Sequence, residues 1–118
     1  MSRKTLVLRG EDGRSVCDRC EVADGPASRA RGLLGRDELR PGEGLLLRPS
    51  FSIHTFFMRF PIDAVFLDKG WSVLAVAGRL KPWRTATRLR ARAVLELAAG
   101  EAERVGVRVG ERLEAVEA

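Results

Sequence analysis

IHTFFMRFPIDAVFLD, from Ile53 to Asp68, holds the only histidine, four of the five phenylalanines and one of the two methionines. It is too long for one strand and has Pro61 near its middle. Proline presets φ for a turn and cannot donate to a central ladder. The stretch therefore predicts two strands, 53–58 and 62–67, joined as a hairpin by a tight turn over Arg59-Phe60-Pro61. Both strands are nearly continuous apolar runs, which predicts that both faces are covered. His54, Thr55, Arg59 and Asp63 must then find partners or face a cavity.

Outward from this stretch, the N-terminal half alternates short strands with turn signals. Thr5 to Arg9 and Ser15 to Ala23 read as a hairpin around Glu11-Asp12-Gly13. Asp24-Gly25-Pro26 starts a helix that runs to about Leu34, with Gly35 as its stop. Gly32 inside that helix costs about 1 kcal/mol relative to Ala and suggests close approach of another backbone. Leu45 to Arg48 is an apolar strand closed by Pro49.

On the C-terminal side, Trp71 to Arg79 reads as a strand and Lys81 to Thr87 as a loop. Leu89 to Leu97 alternates, with Leu89, Ala91, Ala93, Leu95 and Leu97 on one face and Arg90, Arg92, Val94 and Glu96 on the other. That pattern predicts a half-buried strand with a basic outer side. Glu101 to Val105 is a short helix, and Val107 to Val109 and Glu111 to Val116 are short strand material. Many short strands with Gly/Pro turns and only two short helices predict a mainly β sandwich or barrel, as one domain over residues 1–118.

Several motifs together resemble a known family. Arg29, Gly32, Leu33, Leu34 and Arg36 form R-x-x-G-L-L-x-R, and Gly42 to Leu47 read G-x-G-L-L-L. The central stretch follows, then Val94 to Gly100 as V-L-E-L-A-A-G. This combination is similar to the family called domain of unknown function 192, over about residues 5 to 116. The resemblance implies one compact domain with a β-sandwich or jelly-roll-like core and a helix alongside. It implies no activity, substrate or cofactor.

Composition bounds the function. With 118 residues, 45% apolar and 31% charged, the chain has the make-up of a globular protein of one domain. No apolar run approaches the roughly 18 residues of a membrane span. The N-terminus has no signal-peptide core, so a cytoplasmic protein is expected. The formal net charge of +5, with 18 Arg against 3 Lys, favours anionic partners.

Cys17 and Cys20 have C-x-x-C spacing, but zinc would need two further ligands and the chain has one His. In a strand, residues three apart point to opposite faces, so one thiol should face inward and one outward. No metal, cofactor or catalytic group is expected from this pattern. Arg29 and Arg36, seven apart, should share a helix face.

Three function classes remain. The leading one is a non-catalytic domain that binds a small anionic ligand or peptide at the central hairpin, through His54, Thr55, Arg59 and Asp63 with Arg29 from the helix. Asp63 and Arg59 are expected to form an ion pair across the turn. The second is a small enzyme using His54 and Asp63. The third is a nucleic-acid binder using the basic stripe 79–92, where Lys81, Arg84, Arg88, Arg90 and Arg92 surround Trp83 without an acid.

Overall fold

The structure is a computed structural model that describes residues 3–117; Met1, Ser2 and Ala118, part of the expected 1–118 domain, lie outside the described residues. In chain order the elements are β1 (Thr5–Arg9), β2 (Ser15–Ala23), α1 (Pro26–Arg31), β3 (Glu43–Leu47), β4 (Ser52–His54), β5 (Ile62–Leu67), β6 (Val73–Leu80), β7 (Thr85–Thr87), β8 (Ala93–Ala98), α2 (Glu101–Arg104) and β9 (Glu114–Glu117). The fold is mainly β. Among the described residues, seven strands form one sheet in the order β6-β5-β8-β3-β2-β1-β9, and β4 and β7 form a separate two-stranded ribbon. Within the large sheet β2 and β3 are parallel, and the other pairs are antiparallel.

The sheet is open in strand order, yet its two edges meet. Ser72 bridges Arg112. The Val73 N–H donates to the Glu111 carbonyl at 2.8 Å, and the Leu113 N–H to the Trp71 carbonyl at 2.9 Å. The sheet thus curls into a barrel-like form with an inner and an outer face. Leu8, Cys20, Leu46, Val65, Leu95 and Leu97 belong to the inner core. Leu45, Leu47, Ile62, Phe66 and Val94 belong to an outer core, covered by Leu33 and Leu39 beyond α1 and by Ile53 and Met58 of the ribbon region. Fully burying a Leu or Phe of this kind contributes roughly 1.5–3 kcal/mol. Both β5 and β8 lie between two strands and between two cores, which is why every residue of β5 is buried.

The central stretch does not form the expected hairpin. β4 pairs with β7 in the register Ile53↔Ala86, whereas β5 pairs with β6 and β8. The cause is Thr55, which is fully buried. Its N–H donates to the Arg84 carbonyl, its hydroxyl to the Lys81 carbonyl at 2.6 Å, and its own oxygens accept the N–H groups of Trp83 and Arg84. These bonds satisfy the chain against the 81–84 loop, so the expected 81–87 loop contains a strand, and residues 55–61 become a long connection.

Further boundaries shift for identifiable reasons. The first helix ends at Arg31, because Gly32 adopts φ 50° as its C-cap. That positive φ explains the glycine; the nearest contact an added Cβ would make is the Arg29 carbonyl at 3.7 Å, so close approach of another backbone does not. Close approach applies instead to Gly44, where a Cβ would stand 2.8 Å from the Cys17 sulfur. The last long strand begins at Ala93, leaving Leu89 exposed in the preceding turn. Val94 and Glu96 are buried there, because β8 is central and its outer face is covered. Residues 107–109 are not a strand.

Cys17 and Cys20 also depart from expectation. Irregularities in the β1–β2 register, between Leu6↔Cys20 and Leu8↔Cys17, turn both thiols to the inner core. Both are free and fully buried. A hydrogen bond with Cys17, then burial, holds the Cys20 thiol far above the ordinary range.

Candidate functional site

Between α1 and the ribbon lies a cavity of about 330 Å³. Its walls are mostly apolar and include Leu33, Leu34, Leu47, Ile53 and Met58, while Arg29, Arg31, His54 and Glu96 bring polar groups to it. Small-molecule sites have this character: a concave apolar wall with a few placed polar groups.

Three elements place these four groups: α1 carries both arginines, β4 the histidine and β8 the glutamate. Arg29 sits in the last turn of α1, where one guanidinium nitrogen donates to the Asp24 carbonyl at 3.0 Å. His54 ends β4; its Nδ1 accepts the Phe56 N–H at 3.2 Å, and its ring stacks on Phe56 at 5.0 Å. Glu96 lies in the middle of β8, between Leu45 of β3 and Ala64 of β5, on the outer face of the sheet. It is 3% exposed. Burial pushes its carboxyl up to about 8. Among the described residues no donor reaches it, so its remaining polar contact is the cavity. At neutral pH this group is a protonated carboxyl that can donate one hydrogen bond and accept others.

The residues expected at the site divide. Arg29 and His54 share the cavity. Thr55 does not line it, since its hydroxyl is spent on the 81–84 loop. Arg59 points to solvent and pairs with Asp37, so the expected Asp63–Arg59 ion pair does not exist. Asp63 faces the other way, where Oδ1 accepts the Arg79 N–H and Oδ2 the Ala102 N–H, each at 2.8 Å. It anchors β6 and the first turn of α2. His54 and Asp63 therefore line different depressions and cannot act as one catalytic pair. Arg36 lies beyond α1 and pairs with Glu21, so it shares no helix face with Arg29.

Glu96 escapes the sequence reading because strict alternation assigns it to a solvated face with Arg90 and Arg92. One signal points to it nonetheless. Like Asp63 in IDAVFL, it is a lone acid inside an apolar run, AVLELA.

Among the described residues no helix is long and apolar enough to cross a membrane. The chain is 34% identical over 99 residues to a UPF0127 protein of Pyrococcus horikoshii, covering 78% of this chain and 83% of the relative. It is 35% identical over 101 residues to a UPF0127 protein of Pyrococcus abyssi, covering 80% and 83%. A crystal structure of a protein of unknown function from Novosphingobium aromaticivorans superposes with a TM-score of 0.80 at 26% identity, covering 93% of this chain and 83% of that one. A second, from Sinorhizobium meliloti and described as a "putative transcription regulator", gives 0.85 at 25% identity, covering 98% and 96%. A family model matches residues 7–115, and the chain belongs to that family: DUF192, described as Uncharacterized ACR, COG1430.

Proposed function

We propose that this domain is a non-catalytic binding protein whose cavity between α1 and β4 takes a small anionic ligand with an apolar body, either a free carboxylate or phosphate or the terminal carboxylate of a peptide. The observation that carries the reading is Glu96. A buried carboxyl without a protein partner costs stability, and groups kept at such a cost cluster at functional sites. Held protonated, Glu96 can donate a hydrogen bond to an anion instead of repelling it. Arg29 at the rim supplies the charge and the planar donors that suit carboxylate or phosphate. Leu33, Leu47, Ile53 and Met58 accept the apolar part.

A thermal-shift series over short- and medium-chain carboxylates, phosphate esters and peptides with free C-termini tests this, since a ligand that binds only the native state raises its stability. A ligand at about 100 times its Kd adds about 2.7 kcal/mol. The expected hit is an anion whose effect is lost in both Arg29→Ala and Glu96→Gln. The reading fails if no anion shifts the transition, or if a hit shifts both variants as it shifts the wild type.

A further inference from the structure

Among the described residues, the seven exposed large apolar side chains are not scattered. Five of them, Phe51, Phe56, Phe57, Trp83 and Leu89, belong to the β4–β7 ribbon and the segments that flank it. At one end of the ribbon the rings form a cluster. Phe57 and Trp83 meet with centroids 4.6 Å apart, and Phe56 stacks on Trp83 at 5.7 Å. Phe57 is 71% exposed and Trp83 56%. Both adopt left-handed backbone, φ 65° and 67°, a conformation unfavourable to bulky side chains. The Thr55 bonds hold the two loops there, so the outward presentation of the rings is built in by the same residue that pairs the strands.

Charge and hydrogen-bonding groups surround this cluster. Residues 44–62 and 69–95 contain no acid. Lys81 and Arg84 flank Trp83, and Arg90 follows Leu89. Among the described residues, none of these three forms an ion pair; the Arg84 guanidinium meets only the Trp83 carbonyl, at 3.4 Å. Between the two apolar ends, the exposed residues of the ribbon are Ser52, His54, Thr85 and Thr87.

We propose that this ribbon is a second binding surface, adjoining the cavity at Ser52 and His54, for single-stranded nucleic acid. Exposed ring faces stack on bases without regard to sequence. Lys81, Arg84 and Arg90 neutralise phosphates. The hydroxyls and His54 meet base edges or sugars. An anionic membrane would also suit the aromatic and basic groups, but seating the ribbon in lipid would strip water from its row of hydroxyls. A flexible single strand leaves them hydrogen-bonded.

The test is fluorescence anisotropy with labelled oligo-dT and oligo-U on the full chain at about 50 mM salt, with a blunt duplex and phosphatidylglycerol vesicles as separate arms. Single strands of either kind should bind, with an affinity that falls as salt rises. Trp83→Gly and Phe57→Gly keep the fold, because glycine suits these φ values; each should weaken binding roughly tenfold. Lys81→Gln with Arg84→Gln should lower the salt slope by about 1 to 2. Glu96→Gln should bind like the wild type, which separates this surface from the cavity, and so should Arg108→Gln, at an exposed arginine between α2 and β9, which separates it from the general basic charge of the chain. The proposal is overturned by no single-strand binding up to about 100 μM. It is equally overturned by duplex binding as tight as single-strand binding and indifferent to Trp83→Gly, or by vesicle binding without oligonucleotide binding.

Discussion

Asp63 and Glu96 are carboxyl residues on neighbouring central strands, 2% and 3% exposed, and diagonal neighbours in the ladder: Asp63 pairs with Leu97, and Ala64 with Glu96. They point to opposite faces and meet opposite surroundings. On the inner side, Asp63 receives two backbone N–H donors and closes the structure. On the outer side, Glu96 receives none among the described residues and faces a cavity. The first carboxyl builds the fold, and the second weakens it beside a cavity. Burial alone therefore does not distinguish a structural acid from a candidate binding group; what decides is whether the protein supplies its hydrogen-bond partners.

The largest effect expected from this contrast is at Asp63. Asp63→Ala leaves the Ala102 and Arg79 N–H groups without an acceptor and should cost on the order of 2–4 kcal/mol in denaturant melts. Arg59→Ala, which breaks only an exposed pair with Asp37, should cost under about 0.5 kcal/mol. The double mutant should be additive within about 0.5 kcal/mol. A coupling well above that would mean that Asp63 and Arg59 interact after all.

Glu96 should give the opposite sign. Its folded carboxyl sits at about 8, above the ordinary value of 4.5, so the folded state binds the proton more tightly. The stability linked to that proton is fully present below about pH 4.5 and is lost as pH rises toward 8. Glu96→Gln removes this loss. It should be more stable than the wild type by about 1–3 kcal/mol near pH 8, with the gap closing below pH 4.5. Denaturant midpoints across this range measure it, and a pH-independent gap would show that Glu96 is not held protonated.

Thr55→Val removes one hydroxyl that serves the Lys81 carbonyl and the Arg84 N–H, and should cost about 1–2 kcal/mol. Amide exchange should speed up in residues 81–87 before the main sheet responds. Uniform acceleration would mean that the ribbon does not open separately. The smallest effect on stability belongs to Arg29→Ala, within about 0.5 kcal/mol, because the side chain is only partly buried and makes one bond to a carbonyl. Against that unchanged background, loss of the ligand-induced thermal shift would isolate its part in binding.

Local features were legible without coordinates. The β1–β2 hairpin follows from alternation around an Asp-Gly turn, and α1 starts where Pro26 suits a first helical position. The mainly β class follows from short apolar runs punctuated by Gly and Pro, since periodicity and turn chemistry act over a few residues. Arg29 and His54 could be singled out as unusual neighbours of apolar side chains, and they do line one cavity.

Partner choice and facing were decided by tertiary structure. Nothing local says that 52–54 pairs with 85–87; hydrogen bonds to Thr55 from 26 to 29 residues away decide it. Alternation orients a strand relative to itself, but a second covering layer can bury the face it assigns to water, as α1 and the ribbon do over Glu96. An irregular ladder likewise turns Cys17 and Cys20 to one side, where a regular strand would separate them. Sequence pattern acts through the few residues on either side. Which strand adjoins, which layer covers and which donor arrives depend on the packing of the whole chain.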